Sequence, residues 1–213
     1  TSHSHSHDHH HPDTSQPHSH SHAHSTDRTP NAILKVISDS SMPQHAKDLA
    51  CKAFMNLAKA ESTIHGKTID TVHFHEVGAI DAIADICTAC LAFDALNIDK
   101  CISMPIATGS GTVKTAHGIL AIPAPATALL LKDLPIKRGP AKKELTTPTG
   151  AALLTALVDE YDCDFSGILK ASSYGAGKMD FPTHPNVIKV SLFESADNSA
   201  STESISVLTC TID

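Results

Sequence analysis

The sequence has no apolar run long enough to cross a bilayer. A helical span needs roughly 18 consecutive apolar residues, and the best candidate is broken by Asp85 and Asp94. It has no Lys/Arg run either. Sixteen Lys and Arg stand against 23 Asp and Glu, a formal net charge of -7. That balance gives no electrostatic basis for holding a phosphate backbone, which excludes a nucleic-acid partner. The opening residues lack the basic stretch followed by an apolar one that marks a secretory signal. The cysteines at 51, 87, 90, 101, 163 and 210 are scattered through apolar contexts. That excludes a dense disulfide framework and leads us to expect a reducing, cytoplasmic compartment. No internal repeat is present. The first residue is Thr1 rather than Met, so a piece of a longer protein is expected.

What is present is the material of a folded domain. Of 213 residues, 41% are hydrophobic and 18% charged, enough for a sizeable core. Residues 1–30 are different: they hold ten of the 16 histidines among Ser, Asp and Pro. Apart from Ala23 nothing there can be buried, so a disordered tail is expected, and neutral imidazoles suit it to gathering Ni, Zn or Cu. Order is expected from Pro30. A short helix reads over 32–38. A second runs from Ser41-Met42-Pro43-Gln44, taken as N-cap, early-turn proline and capping-box Gln, to His65, with Gly66 as the stop. Its apolar stripe includes Ala46, Leu49, Ala50, Ala53, Phe54, Leu57 and Ala58. A helix over 79–96 is apolar nearly all round, which predicts a central position. Strands are expected over 100–106, 168–173, 187–193 and 206–212. Helices are expected over 123–132 and from Thr147-Pro148 to about Tyr161. Residues 195–204 read as a linker.

The chemistry concentrates between 73 and 85. His73 and His75 alternate around Phe74, which in an extended segment puts both imidazoles on one face. Glu76 follows, and Asp81 and Asp85 lie one helical turn apart. A like-charge pair at that spacing is destabilising unless a cation compensates it. A buried metal site is therefore expected at His73, His75, Glu76, Asp81 and Asp85, with His73, His75, Glu76 and Asp81 as the reacting groups. The bland alternative for Asp81 is that it complements the helix N-terminus. Weaker signals lie at Gly109-Ser110-Gly111-Thr112 with Lys114 and His117-Gly118, at Glu144 to Thr147 before a helix, and at Gly175-Ala176-Gly177-Lys178. Each is compatible with phosphate binding and equally with a tight turn or a well-capped helix. Cys87 and Cys90 read as small core residues. His45, His65 and His184 stand alone along the chain and read as surface or capping residues.

Several of these segments, in this order, resemble the LarC family of nickel-insertion proteins. They are 73–85, Gly109-Ser110-Gly111 through His117-Gly118, Pro123-Ala124-Pro125-Ala126-Thr127, 144–151 and 174–182. The resemblance covers most of residues 31–195. It implies nickel insertion into pyridinium-3,5-bisthiocarboxylic acid mononucleotide, forming a carbon–nickel bond flanked by sulfur. That is a nickel chelatase of the lyase class, requiring CTP with Mn or Mg. The product would be delivered to the lactate racemase apoprotein. The resemblance also implies that His73, His75, Glu76, Asp81 and Asp85 handle nickel, and that Lys114, His117, Glu144 and Thr147 handle the nucleotide. The expected architecture is an α+β core over 31–195, helices packed on a small mixed sheet. The disordered His-rich tail precedes it, and a linker with the start of a truncated C-terminal domain follows over 196–213. A homo-oligomer is compatible with all of this. Two other classes stay open: a nickel-storage protein or metallochaperone acting through its tail, and a metal-dependent hydrolase using activated water.

Overall fold

A computed structural model describes residues 29–74, 80–115, 117–161 and 164–194, and the backbone of 204–209. The expected tail and most of the linker lie outside the described residues. The helices are α1 (Pro30–Asp39), α2 (Gln44–His65), α3 (Ile80–Ala95), α4 (Pro125–Leu130) and α5 (Pro148–Leu157). The strands are β1 (Lys100–Ser103), β2 (Ile106–Ala107), β3 (Thr112–Thr115), β4 (Gly118–Ala121), β5 (Ile136–Lys137), β6 (Glu160–Tyr161), β7 (Ile168–Ala176), β8 (Val187–Glu194) and β9 (Ser204–Thr209). This is the expected α+β class, and the main core lies among the helices.

α2 is the hub, packing against α1, α3, α4 and α5. Its sequence makes that possible. Small alanines alternate with Phe54 and Leu57, so neighbouring helices approach closely on several sides; Ala46, Ala50, Ala53, Phe54, Leu57 and Ala58 are fully buried. Burying a Phe or Leu side chain contributes roughly 1.5–3 kcal/mol, so this stripe is the main stabilising surface of the fold. Phe74 reaches the same core, its ring edge-on to Phe54 at 6.2 Å. Gly66 ends α2 in the left-handed conformation at φ 60°, which a residue with a Cβ adopts only at a cost. The N-cap of α2 is Pro43, without a side-chain cap bond. Ser41 lies two residues before that N-cap position.

α3 corrects a second expectation. Only Ala82, Ile86 and Cys90 are buried, at i, i+4 and i+8, and Ile80 is 73% exposed. The helix lies on the flank of the bundle with one inward stripe, despite its apolar composition. α5 ends at Leu157, four residues short of Tyr161, because Val158 turns extended. Tyr161 then joins β6. The strand expected over 100–106 is divided between two sheets. Pro105, which has no N–H to offer a ladder, separates β1 from β2.

The larger sheet is mixed, in the order β6-β1-β9-β8-β7. β1 runs parallel to β6 and β9, and β8 runs antiparallel to β9 and β7. β2 pairs with β5, and β3 with β4 forms a separate hairpin. Neither the hairpin nor the two-residue strands β5 and β6 show in the sequence pattern. No helix among the described residues is long and apolar enough to cross a membrane.

Candidate functional site

Two cavities meet at the first turn of α5. That turn is built locally. Thr147 is the N-cap, its Oγ1 accepting from the Gly150 N–H at 3.2 Å, and Pro148 occupies the first helical position. The loop before it is stitched to the segment after β2. The buried Thr146 hydroxyl donates to the Ala107 carbonyl at 2.7 Å, and the Leu145 N–H donates to the Thr108 carbonyl at 3.1 Å. Gly109 closes the stitch, forming a bridge with Glu144. Its φ is 84°, and a Cβ there would lie 1.8 Å from the Lys143 carbonyl oxygen. The glycine is needed for that close approach, and the loop aims the helix N-terminus.

The larger cavity, about 640 Å³, lies between α3, α5 and the start of β8. Asp85, Thr147, Gly150, Gly175, Gly177 and Asn186 contribute to its wall, opposite Leu145, Leu153 and Leu154. Three segments far apart in the sequence thus converge: the last acidic residue of the 73–85 segment, the capped N-terminus of α5, and the Gly175-Ala176-Gly177 run. Backbone N–H groups at a helix N-terminus favour an anion. The Gly177 N–H is not free for one, since it donates to the Asn186 carbonyl at 2.8 Å.

The smaller cavity, about 80 Å³, lies between the last turn of α2, the β3–β4 hairpin and the starts of α4 and α5. Glu61, His65 and His117 line it together with Ile64, Leu120, Ala124 and Pro125. The hairpin turn is fixed by Thr115, whose hydroxyl accepts from the His117 N–H at 3.1 Å and donates to the Gly118 carbonyl at 3.1 Å. Gly118 has φ 102°.

The described residues of the 73–85 segment are more open than the composition suggests. His73 is exposed while Phe74 is buried, the alternation expected of an extended segment. His75 and Glu76 lie outside the described residues. Asp81 and Asp85 are both exposed, which corrects the expectation of a buried acidic pair. Asp81 accepts from the Ala82 N–H at 2.9 Å in the first turn of α3. Among the described residues no three His, Cys, Asp or Glu side chains are gathered as a ready metal site. Lys114 is exposed on β3 opposite Ile119 and lines neither cavity described above. Glu144 is half-buried beside Gly109.

The lone histidines divide. His45 pairs with Asp94 at 2.9 Å on the surface, and His184 stacks on Phe181. His65 is the basic residue in the last turn of α2 but is not a surface residue: its side chain is 18% exposed, against Glu61 and beside His117. Sequence reasoning missed it because its partners are four residues upstream and 52 residues downstream; the Glu61–His65 spacing of one helical turn was the available signal. Burial raises the Cys90 thiol to about 12 and moves Cys87 in the same direction. Neither ionises readily, which fits small core residues.

Comparison with known proteins identifies the family. The family described as nickel insertion protein matches residues 2–213. A pyridinium-3,5-bisthiocarboxylic acid mononucleotide nickel insertion protein from Staphylococcus epidermidis is 43% identical over 186 residues, 87% of this chain and 46% of the relative. Proteins of the same name from Clostridium acetobutylicum and Desulfitobacterium hafniense are each 43% identical, over 76% and 81% of this chain and 38% and 43% of their own lengths. The chain therefore spans about half the length of the curated relatives it matches. No solved structure matches it. By its family match and these identities, the chain belongs to the nickel insertion protein family.

Proposed function

We propose that this chain binds pyridinium-3,5-bisthiocarboxylic acid mononucleotide and places nickel between its two sulfur arms, as the nickel-inserting part of a chelatase. The observation that carries this reading is 43% identity over 87% of the chain to a protein named for that reaction. The geometry fits: a cavity of about 640 Å³ beside a helix N-terminus has the size for a mononucleotide and the polarity for its phosphate. In this reading Thr147 and the first turn of α5 meet the phosphate. Glu144 holds the loop that aims them. His117 faces the ring end of the ligand, and Lys114 attracts the anion from outside the cleft.

Nickel is the substrate here, not a resident group. His73, His75, Glu76, Asp81 and Asp85 act as its transient donors at the lip of the cleft, and the histidines of residues 1–30 raise its local concentration. Imidazole and carboxylate hold the ion less well than the thiocarboxylates that receive it, so transfer runs downhill. CTP with Mn or Mg, a reducing cytoplasmic location, self-association, and the lactate racemase apoprotein as recipient complete the proposal. Among the described residues no three His, Cys, Asp or Glu side chains gather as a ligand set for Mn or Mg.

The test is nickel stoichiometry on the full chain, with and without the mononucleotide. One further nickel per chain should be retained only when the mononucleotide is present. His73→Ala with His75→Ala should raise the nickel concentration needed to fill it. If nickel binding is unchanged by the mononucleotide and vanishes with the histidines of residues 1–30, the chain is a storage protein instead.

A further inference from the structure

The smaller cavity brings His117 together with Glu61 and His65, two side chains to which the proposed function gives no role. Glu61 Oε2 lies 3.3 Å from His65 Nε2, with the two side chains only 14% and 18% exposed. The His117 ring lies 5.2 Å from that of His65, tilted by 50°, and is exposed on the hairpin turn. The remaining walls are mostly apolar. An imidazole with a carboxylate beside it in a mostly apolar pocket has the groups of a general base, and a second imidazole at the mouth gives its proton a way out. About 80 Å³ admits part of a ring and not a whole nucleotide. Pro148 lines this cavity and its neighbour Thr147 lines the larger one. A nucleotide with its phosphate at the start of α5 therefore has both cavities within reach.

The name of the relatives' substrate states the chemistry. Sulfur arms at ring positions 3 and 5 hold a metal in line with the carbon between them. Bonding that carbon to nickel requires its hydrogen to leave as a proton. The C–H bond breaks, its electron pair becomes the carbon–nickel bond, nickel stays divalent, and the proton needs an acceptor. We propose that His65 is that acceptor, that Glu61 orients it, and that His117 passes the proton to solvent. This rests on reading the chain as a site for the pyridinium mononucleotide.

The test uses the full chain, with nicotinic acid mononucleotide as the probe in a nickel-free arm. Imidazole NMR resonances of His65 and His117, assigned through His65→Gln and His117→Gln, should shift saturably, and His65→Gln should keep its affinity for the probe. A saturating probe that leaves the His65 resonances in place overturns the inference by itself. In the second arm, with the true precursor and nickel, His65→Gln should lose about 100-fold or more in the limiting insertion rate. Glu61→Gln should displace the acid limb of the pH–rate profile. Deuterium at the ring carbon should slow the wild type. If the wild type inserts nickel and His65→Gln does so equally fast, the inference falls and the nickel reading stands. If the wild type binds neither probe nor precursor, both fall.

Discussion

Residues 73–85 and the pocket at Glu61, His65 and His117 handle the same residue types in opposite ways. The first is dense along the chain, and its described polar residues are open in space: His73, Asp81 and Asp85 are exposed, and Asp81 is engaged with the backbone of its own helix. The second is sparse along the chain and close in space, with Glu61 and His65 one helical turn apart and His117 brought in by a hairpin. Solvated donors exchange ligands quickly and suit capture and release of an ion. A carboxylate-held imidazole among apolar side chains suits moving a proton. In the proposal, nickel is met where the residues cluster along the chain, and bonds change where they cluster in space.

The largest effect separates the two by kinetic parameter. At saturating nickel, His65→Gln lowers the limiting insertion rate by about 100-fold or more. His73→Ala leaves that rate near wild type and raises the nickel concentration at half-maximal rate. Steady-state titration of nickel for both variants checks this. A limiting rate lost in His73→Ala and kept in His65→Gln would break the division.

Most of the helical half of the fold was legible because its signals are local. The α2 stripe has helical spacing, Thr147-Pro148 announces α5, and Gly66 stops α2. Two kinds of feature were not legible. α3 is apolar nearly all round, so its pattern gives little direction, and its neighbours leave Ile80 exposed. The hairpin of β3 and β4 has four residues on each side and no continuous apolar alternation. It nonetheless carries His117 to the pocket. His65 was read as a lone histidine for the same reason: its surroundings are made by elements the sequence does not announce. Asp85, Thr147 and the Gly175–Gly177 run were each singled out, but their meeting at one cleft is a product of topology alone.

Gly109 tests whether the site depends on the loop behind it. A Cβ at φ 84° and 1.8 Å from the Lys143 carbonyl oxygen leaves Gly109→Ala no accommodating conformation. The left-handed backbone alone costs about 1–2 kcal/mol, and the clash adds to it. Denaturant unfolding should show a loss on the order of 2 kcal/mol or more, and probe binding at the start of α5 should weaken with it. Equal stability would mean that the loop does not aim the helix. Thr147→Ala is milder: losing the N-cap oxygen costs about 1 kcal/mol. It leaves His65 in place, so it should weaken phosphate-bearing probes more than a pyridine ring alone, by calorimetric titration.

The smallest expected effect carries a sign that separates the two readings of the acidic pair. Asp81 lies in the first turn of α3 with its carboxylate on the Ala82 N–H. There its negative charge complements the helix dipole, worth about 0.3–1 kcal/mol. Four residues on, Asp85 repels it by a comparable amount, about 0.2–0.5 kcal/mol. Solvent weakens both terms at an exposed pair, but the dipole term also has a direct hydrogen bond. Asp81→Asn, measured without nickel, should therefore lower stability by a few tenths of a kcal/mol, and raising the salt concentration should shrink the difference. An increase in stability would mean that repulsion dominates the pair. The segment would then be held under electrostatic stress that a captured cation relieves.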